Sequence, residues 1–259
     1  MNILIAPFVN ALFGFYYLVG NLGWAVVLVT VVIRLILIPL VLPSMKSAKK
    51  MNELQPKLKK LQEKYGKDKQ GLAKAQMDLY KTEGINPLSG CLPQLLQVGV
   101  LILFFSAFNL VTNYSIGKGT LEEINRNLIP SFQVDGNFKF DTSFMGSKLS
   151  DTPSTVFKEG VGWNLVLPLL LLLGSGILQY FSSKLMMPSP KLDEKVIEKT
   201  KDKEDDMMSA MRTQSTYMMP LMTIFIGWSF SLGILLYWFV NSAMMLGQQL
   251  VVGKLDKKA

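Results

Sequence analysis

Five stretches of this chain, residues 21–42, 91–112, 163–181, 213–230 and 234–252, are apolar and close to the about 20 residues that carry a helix across roughly 30 Å of hydrocarbon. In lipid the backbone must satisfy its own hydrogen bonds, so a chain with five such runs folds as a bundle of helices. Composition agrees, with 49% hydrophobic residues, only 18% charged residues and a mean hydropathy of +0.29. The fold class expected is an all-α integral membrane protein. There are no histidines and one cysteine, which excludes a Ser-His-Asp triad, an imidazole zinc site and a disulfide framework. No cofactor, metal or enzymatic activity is expected.

The net charge of +8 is sorted by loop. Residues 43–90 hold 11 Lys and Arg against 5 Asp and Glu, 113–162 hold 5 against 6, and 182–212 hold 7 against 7. Segments near spans on the cytoplasmic side are enriched in Lys and Arg, so 43–90, 182–212 and the tail 253–259 are read as inside and the N-terminus as outside. The cations therefore follow the membrane, and no nucleic-acid recognition is inferred.

Residues 1–20 carry an uncharged run, 3–19, that suits an interfacial helix. Its crowd of Phe13, Phe15, Tyr16 and Tyr17 fits the headgroup boundary, and Gly20-Asn21-Leu22-Gly23 breaks it from the first span. A signal peptide is disfavoured because no basic residue precedes the run. Loop charge alone does not separate an interfacial helix from a sixth span. No internal repeat is evident, which weakens an inverted-repeat transporter.

In 44–65, Met45, Ala48, Met51, Leu54, Leu58, Leu61 and Tyr65 recur at steps of three or four, with lysines filling most of the remainder. A second helix is expected at about 68–83, after Gly66, and Glu83-Gly84-Ile85-Asn86-Pro87 turns the chain back. Two helices with a short joint pack antiparallel, so 43–90 is read as a cytoplasmic helical hairpin. Lipid headgroups, a ribosome or a passing chain are its candidate contacts, and the residues do not rank them.

Arg34 is the one charged residue in the five runs. It lies about twelve residues into the first, near mid-membrane at 1.5 Å per residue. A central arginine costs about 2.5–3.5 kcal/mol on the insertion scale, and no acidic residue in any span pairs with it. A water-filled indentation, positive in potential, is the expected solution. Candidate companions are Gln94, Gln97, Gln179 and Asn241, with the hydroxyls of Thr223 and Ser242. Each is more often a satisfied interhelical hydrogen bond than a ligand contact. The absence of intramembrane carboxylates argues against proton or sodium coupling.

Fifteen methionines cluster toward the C-terminal half, among them Met186, Met187, Met207, Met208, Met211, Met244 and Met245, and suit a surface accepting varied apolar partners. Residues 188–206 are charged, balanced and poor in apolar side chains, which reads as a mobile linker. Trp163, Trp228 and Phe230 are expected at the outer boundary.

Several runs, taken in order, resemble the YidC membrane protein insertase family over nearly the whole chain. They are Gly23-Trp24-Ala25, Ile33-Arg34-Leu35 and Ile38-Pro39-Leu40, then Glu83-Gly84-Ile85-Asn86-Pro87-Leu88 and Gly90-Cys91-Leu92-Pro93 before Gln97, and finally Gly233-Ile234-Leu235-Leu236-Tyr237-Trp238 with Gln248-Gln249. The resemblance implies five spans around a hydrophilic groove open to cytoplasm and lipid, with Arg34, Gln97, Gln179 and Trp238 as substrate-groove residues. Ser231-Leu232-Gly233 departs from the Pro-Ala-Gly frequent in that family, which bears on the last external turn. With no large domain ahead of the first span and no lipobox cysteine, the minimal form of the family is expected.

The function this implies is a membrane protein insertase and chaperone of the bacterial plasma membrane, whose partners are nascent membrane proteins and membrane lipids. Contact with a ribosome or the main secretory channel stays open. The competing reading of the same residues is a small transporter or anion channel using Arg34, and a passive assembly scaffold is a third.

Overall fold

A computed structural model describes residues 3–66, 68–85, 92–186 and 213–255. The linker 188–206, Met187, Met207, Met208 and Met211, residues 86–91 of the returning turn, the end of the tail and the side chains of Ala48 and Gln94 lie outside them.

The first helix, α1 (Ala6–Val19), buries Ala6, Val9, Leu12 and Phe13 on one face and ends at Gly20, whose φ of 67° is the left-handed geometry a helix stop requires. Asn21 then caps α2 (Leu22–Glu53), accepting from the amides of Gly23 and Trp24. The helix does not stop near residue 42 but runs through Pro39 and Pro43 to Glu53, so the first span and the first arm of the hairpin are partly one element. Each proline removes one donor and leaves the helix otherwise continuous.

Leu54 breaks the chain into α3 (Gln55–Tyr65), and Asp68 caps α4 (Lys69–Thr82) by accepting from the Gly71 amide at 2.9 Å. The two helices pack together over a small core of Met51, Leu54, Leu58, Tyr80 and Ile85. Beyond the hairpin, α5 (Leu92–Ser115) crosses back.

Residues 116–162 form a folded cap. A Thr120–Glu123 capping box starts α6 (Leu121–Asn125), β1 (Ser143–Phe144) pairs antiparallel with β2 (Ser147–Lys148), and a Thr152–Thr155 box starts α7 (Pro153–Glu159). These two-residue strands are the only β-structure among the described residues. Ile124, Leu128, Val134, Phe140, Phe144 and Leu149 join the same core as Val9, Leu12 and Phe13 of α1. Phe13 and Tyr16 meet Phe140 edge-on at 4.7 and 4.9 Å, and the Asp141 amide donates to the Tyr16 hydroxyl at 2.8 Å. The N-terminal helix is thus held beneath the cap.

Then α8 (Val166–Met186) crosses, followed by a π-helical turn at Gln214–Met218, α9 (Met219–Gly227) and α10 (Leu232–Leu255). Pro220 cannot donate to the carbonyl four residues back, which accounts for the irregular turn before it. Among the described residues four helices are long and apolar enough to span, at Leu22–Glu53, Leu95–Ser115, Trp163–Met186 and Leu232–Gly253. In the run 213–230 the described residues are helical from Thr213 to Gly227. Close helix contacts rest on glycine: a Cβ on Gly174 would lie 2.7 Å from the Phe239 ring, and one on Gly227 2.6 Å from Leu172. The start of α10 is finished by the cap, with the Leu232 and Gly233 amides donating to the carbonyls of Asp151 and Leu149 at 2.7 and 3.0 Å.

Candidate functional site

Along α2, Arg34, Leu37, Val41 and Met45 recur at helical spacing on one face and line a cavity of about 50 Å³. Leu96 and Gln97 of α5, Met186 of α8 and Met245, Gln248 and Gln249 of α10 complete it. At roughly 10–15 Å³ per water, that volume admits a few water molecules. The cavity lies toward the hairpin end of the bundle, where the Asn52 amide donates to the Met186 carbonyl at 2.6 Å and ties α2 to α8. Arg34 sits about 18 Å along α2 from Leu22 at 1.5 Å per residue, well inside the apolar thickness.

Arg34 is only 7% exposed. Its Nε donates to Asn241 Oδ1, whereas its Nη2 is buried with no partner among the described residues. Among the described residues no acidic side chain lines the cavity. Gln97 Nε2 donates to the Tyr237 hydroxyl at 3.2 Å, and the Tyr237 ring, 1% exposed, stacks on Phe104 with centroids 4.2 Å apart. Ser182 Oγ donates to Gln249 Oε1 at 2.8 Å across α8 and α10. The site is therefore a fixed cation on one wall, neutral amides on the others and methionines between them.

Of the residues expected in a groove, Arg34 and Gln97 line the same cavity, while Gln179 and Trp238 are not among its lining residues. Gln179 accepts from Thr223 Oγ1 at 2.8 Å, a bond joining α8 to α9. Trp238 is half-buried and stacks on Phe230 at 6.0 Å. Asn241, one of the polar companions named from sequence, is the acceptor for Arg34. Gln248 and Gln249 were read only as part of a motif; two adjacent amides inside an apolar run were the signal that places them here. Among the described residues no group of three His, Cys, Asp or Glu is positioned for a metal ion.

A family profile described as 60Kd inner membrane protein matches residues 14–259. The chain belongs to this family. Within the 60Kd inner membrane protein family, it is 30% identical to a membrane protein insertase YidC of Pelobacter propionicus over 98% of this chain and 39% of that relative. It is 31% identical to one of Fusobacterium nucleatum, over 91% of this chain and 88% of the relative. It is 30% identical to one of Clostridium tetani, over 91% of this chain and 83% of the relative. The chain thus spans under half of the first relative and most of the other two.

Proposed function

We propose that this chain is a membrane protein insertase and chaperone that moves hydrophobic segments of newly made proteins from the cytoplasm into the bilayer, with no bond made or broken. The observation that carries the reading is Arg34: a buried guanidinium whose Nη2 has no partner among the described residues, facing a cavity where none of the described lining residues is a carboxylate. A polar leading segment that meets water and fixed positive charge part-way through the membrane avoids much of its desolvation cost, while the apolar segment passes into lipid. Arg34 and Gln97 act at the cavity, and Gln179 and Trp238 act on the path beside it. The relatives' names support this reading.

The membrane is the bacterial plasma membrane, with the N-terminus outside and the C-terminus and hairpin in the cytoplasm, as the Lys and Arg excess of 43–90 indicates. The lysines of that hairpin are the surface for a ribosome or the secretory channel where delivery uses either. Integration of a short single-span protein into liposomes holding only the purified chain tests the proposal. Arg34→Ala abolishes integration of clients with acidic leading segments, and Arg34→Lys keeps part of it. Ion flux without integration assigns the chain to channels instead, and unchanged integration of every client by Arg34→Ala removes the arginine from the mechanism.

A further inference from the structure

The unpartnered polar atoms of the cavity are all of one kind. Arg34 Nη2, Gln248 Nε2 and Gln249 Nε2 are buried N–H groups without an acceptor among the described residues, and all three residues line the same space. Arg34 and Gln249 are each 7% exposed, and the acceptor end of the Gln249 amide is already taken by Ser182. Buried donors left unmade cost free energy, and an acceptor-only group answers all three at once. Around these donors the lining is apolar, with Met45, Met186 and Met245 offering adaptable surface and no Asp or Glu among the described lining residues. The complement of such a space is an oxyanion at the end of an apolar chain.

We propose that this cavity binds the phosphate of a phospholipid from the leaflet on the hairpin side, with the acyl chains leaving past the methionines. Depth favours it. Gln248 lies about 24 Å along α10 from Leu232 and Arg34 about 18 Å along α2 from Leu22, so a phosphate held between them dips about 6–12 Å below the near boundary of a roughly 30 Å hydrocarbon layer. The approach is cationic: exposed Lys46 follows Met45 directly, and exposed Lys184 precedes Met186 by two residues. An extended peptide would bring N–H groups of its own, and none of the cavity's unpartnered buried atoms is an acceptor for them. A phosphodiester brings no donor. The assignment shares its cavity with the insertase reading: lipid holds the site between clients, and the test reads lipid retention rather than client integration.

Native mass spectrometry of the full chain in neutral detergent tests it, with dioleoylphosphatidylglycerol, dioleoylglycerol, inorganic phosphate and an acidic single-span peptide as separate probes. The expected result is one phosphatidylglycerol retained per chain, no retention of dioleoylglycerol, and no displacement by inorganic phosphate. The double variant Gln248→Leu/Gln249→Leu weakens retention at least about tenfold, the factor that about 1.4 kcal/mol supplies. Gln249→Glu, which keeps the size and replaces the donor with an anion, does the same. Undiminished retention in both variants overturns the proposal, as does equal binding of dioleoylglycerol. Displacement by inorganic phosphate alone makes this a free-anion site, and peptide binding that needs both glutamines while phosphatidylglycerol fails to bind makes it a polypeptide site; either overturns the lipid assignment.

Discussion

Arg34 on α2 and Asn241 on α10 are joined through the interior by a hydrogen bond from the guanidinium Nε to the amide Oδ1. A neutral acceptor orients the arginine and leaves its charge unspent. Asn241→Leu removes that acceptor and is expected to cost about 1.5–3 kcal/mol, the usual worth of a hydrogen bond to a charged group. Asn241→Asp keeps the geometry and neutralises the cation. It should unfold later than wild type in detergent titrations yet insert clients with acidic leading segments more slowly in liposomes. Wild-type insertion by Asn241→Asp would show that net positive charge is not what the cavity contributes.

Gly233 opens α10 directly against the Phe108 ring of α5, where an added Cβ would lie 1.9 Å from the ring carbon Cζ. Neither neighbour has room to give, since Phe108 is itself fully buried. Gly233→Ala is therefore expected to destabilise by at least the about 1–3 kcal/mol typical of overpacking. The pair Gly233→Ala/Phe108→Leu should recover part of that loss, because the ring is what the methyl meets. Thermal unfolding of detergent-solubilised protein measures both, and an additive rather than compensating double variant would contradict the contact.

The spanning runs and the lone arginine were legible because hydropathy and charge are local properties of the chain. The cap was not. Its core is assembled from residues as distant as Phe13, Phe140 and Leu149, whose partners depend on tertiary folding. The two capping boxes, Thr120 with Glu123 and Thr152 with Thr155, were the available local signals. The continuation of α2 past residue 42 was hidden for a different reason, since Pro39 and Pro43 read as stops when taken alone. Gln179 and Gln97 carry the same chemistry in the sequence, and only the tertiary structure separates them: Gln179 accepts from Thr223, and Gln97 donates to Tyr237.

Asp141 ties the cap to the start of α2, accepting from the hydroxyl and amide of Ser143 and from Asn21 Nδ2 at 3.1 Å. These bonds, the Ser143 hydroxyl first, hold its carboxyl below the ordinary range. A depressed carboxyl contributes stability that is complete above its unfolded value, about 3.9, and is lost as pH falls through the lower folded value. The cap should therefore loosen from Asn21 only in acid well below pH ~4. The Trp24 ring packs edge-on to Phe144 at 5.5 Å, so its emission should report the change. In Asp141→Asn this acid transition should disappear, and its persistence would assign it to another group.

Leu58 is 2% exposed at the centre of the hairpin's own small core, among Met51, Leu54, Tyr80 and Ile85. Leu58→Ala is expected to cost about 2–5 kcal/mol, the range for truncating a buried leucine. That core is separate from the one holding the bundle, so the loss should open the hairpin and leave the spans intact. Hydrogen exchange should rise across α3 and α4 while amides of α8 and α10 stay protected. The Lys57–Glu83 ion pair on the same hairpin is partly solvent-exposed, and Glu83→Gln should change its stability by under about 1 kcal/mol. If Glu83→Gln opened the hairpin as far as Leu58→Ala does, charge rather than burial would be what holds α3 against α4.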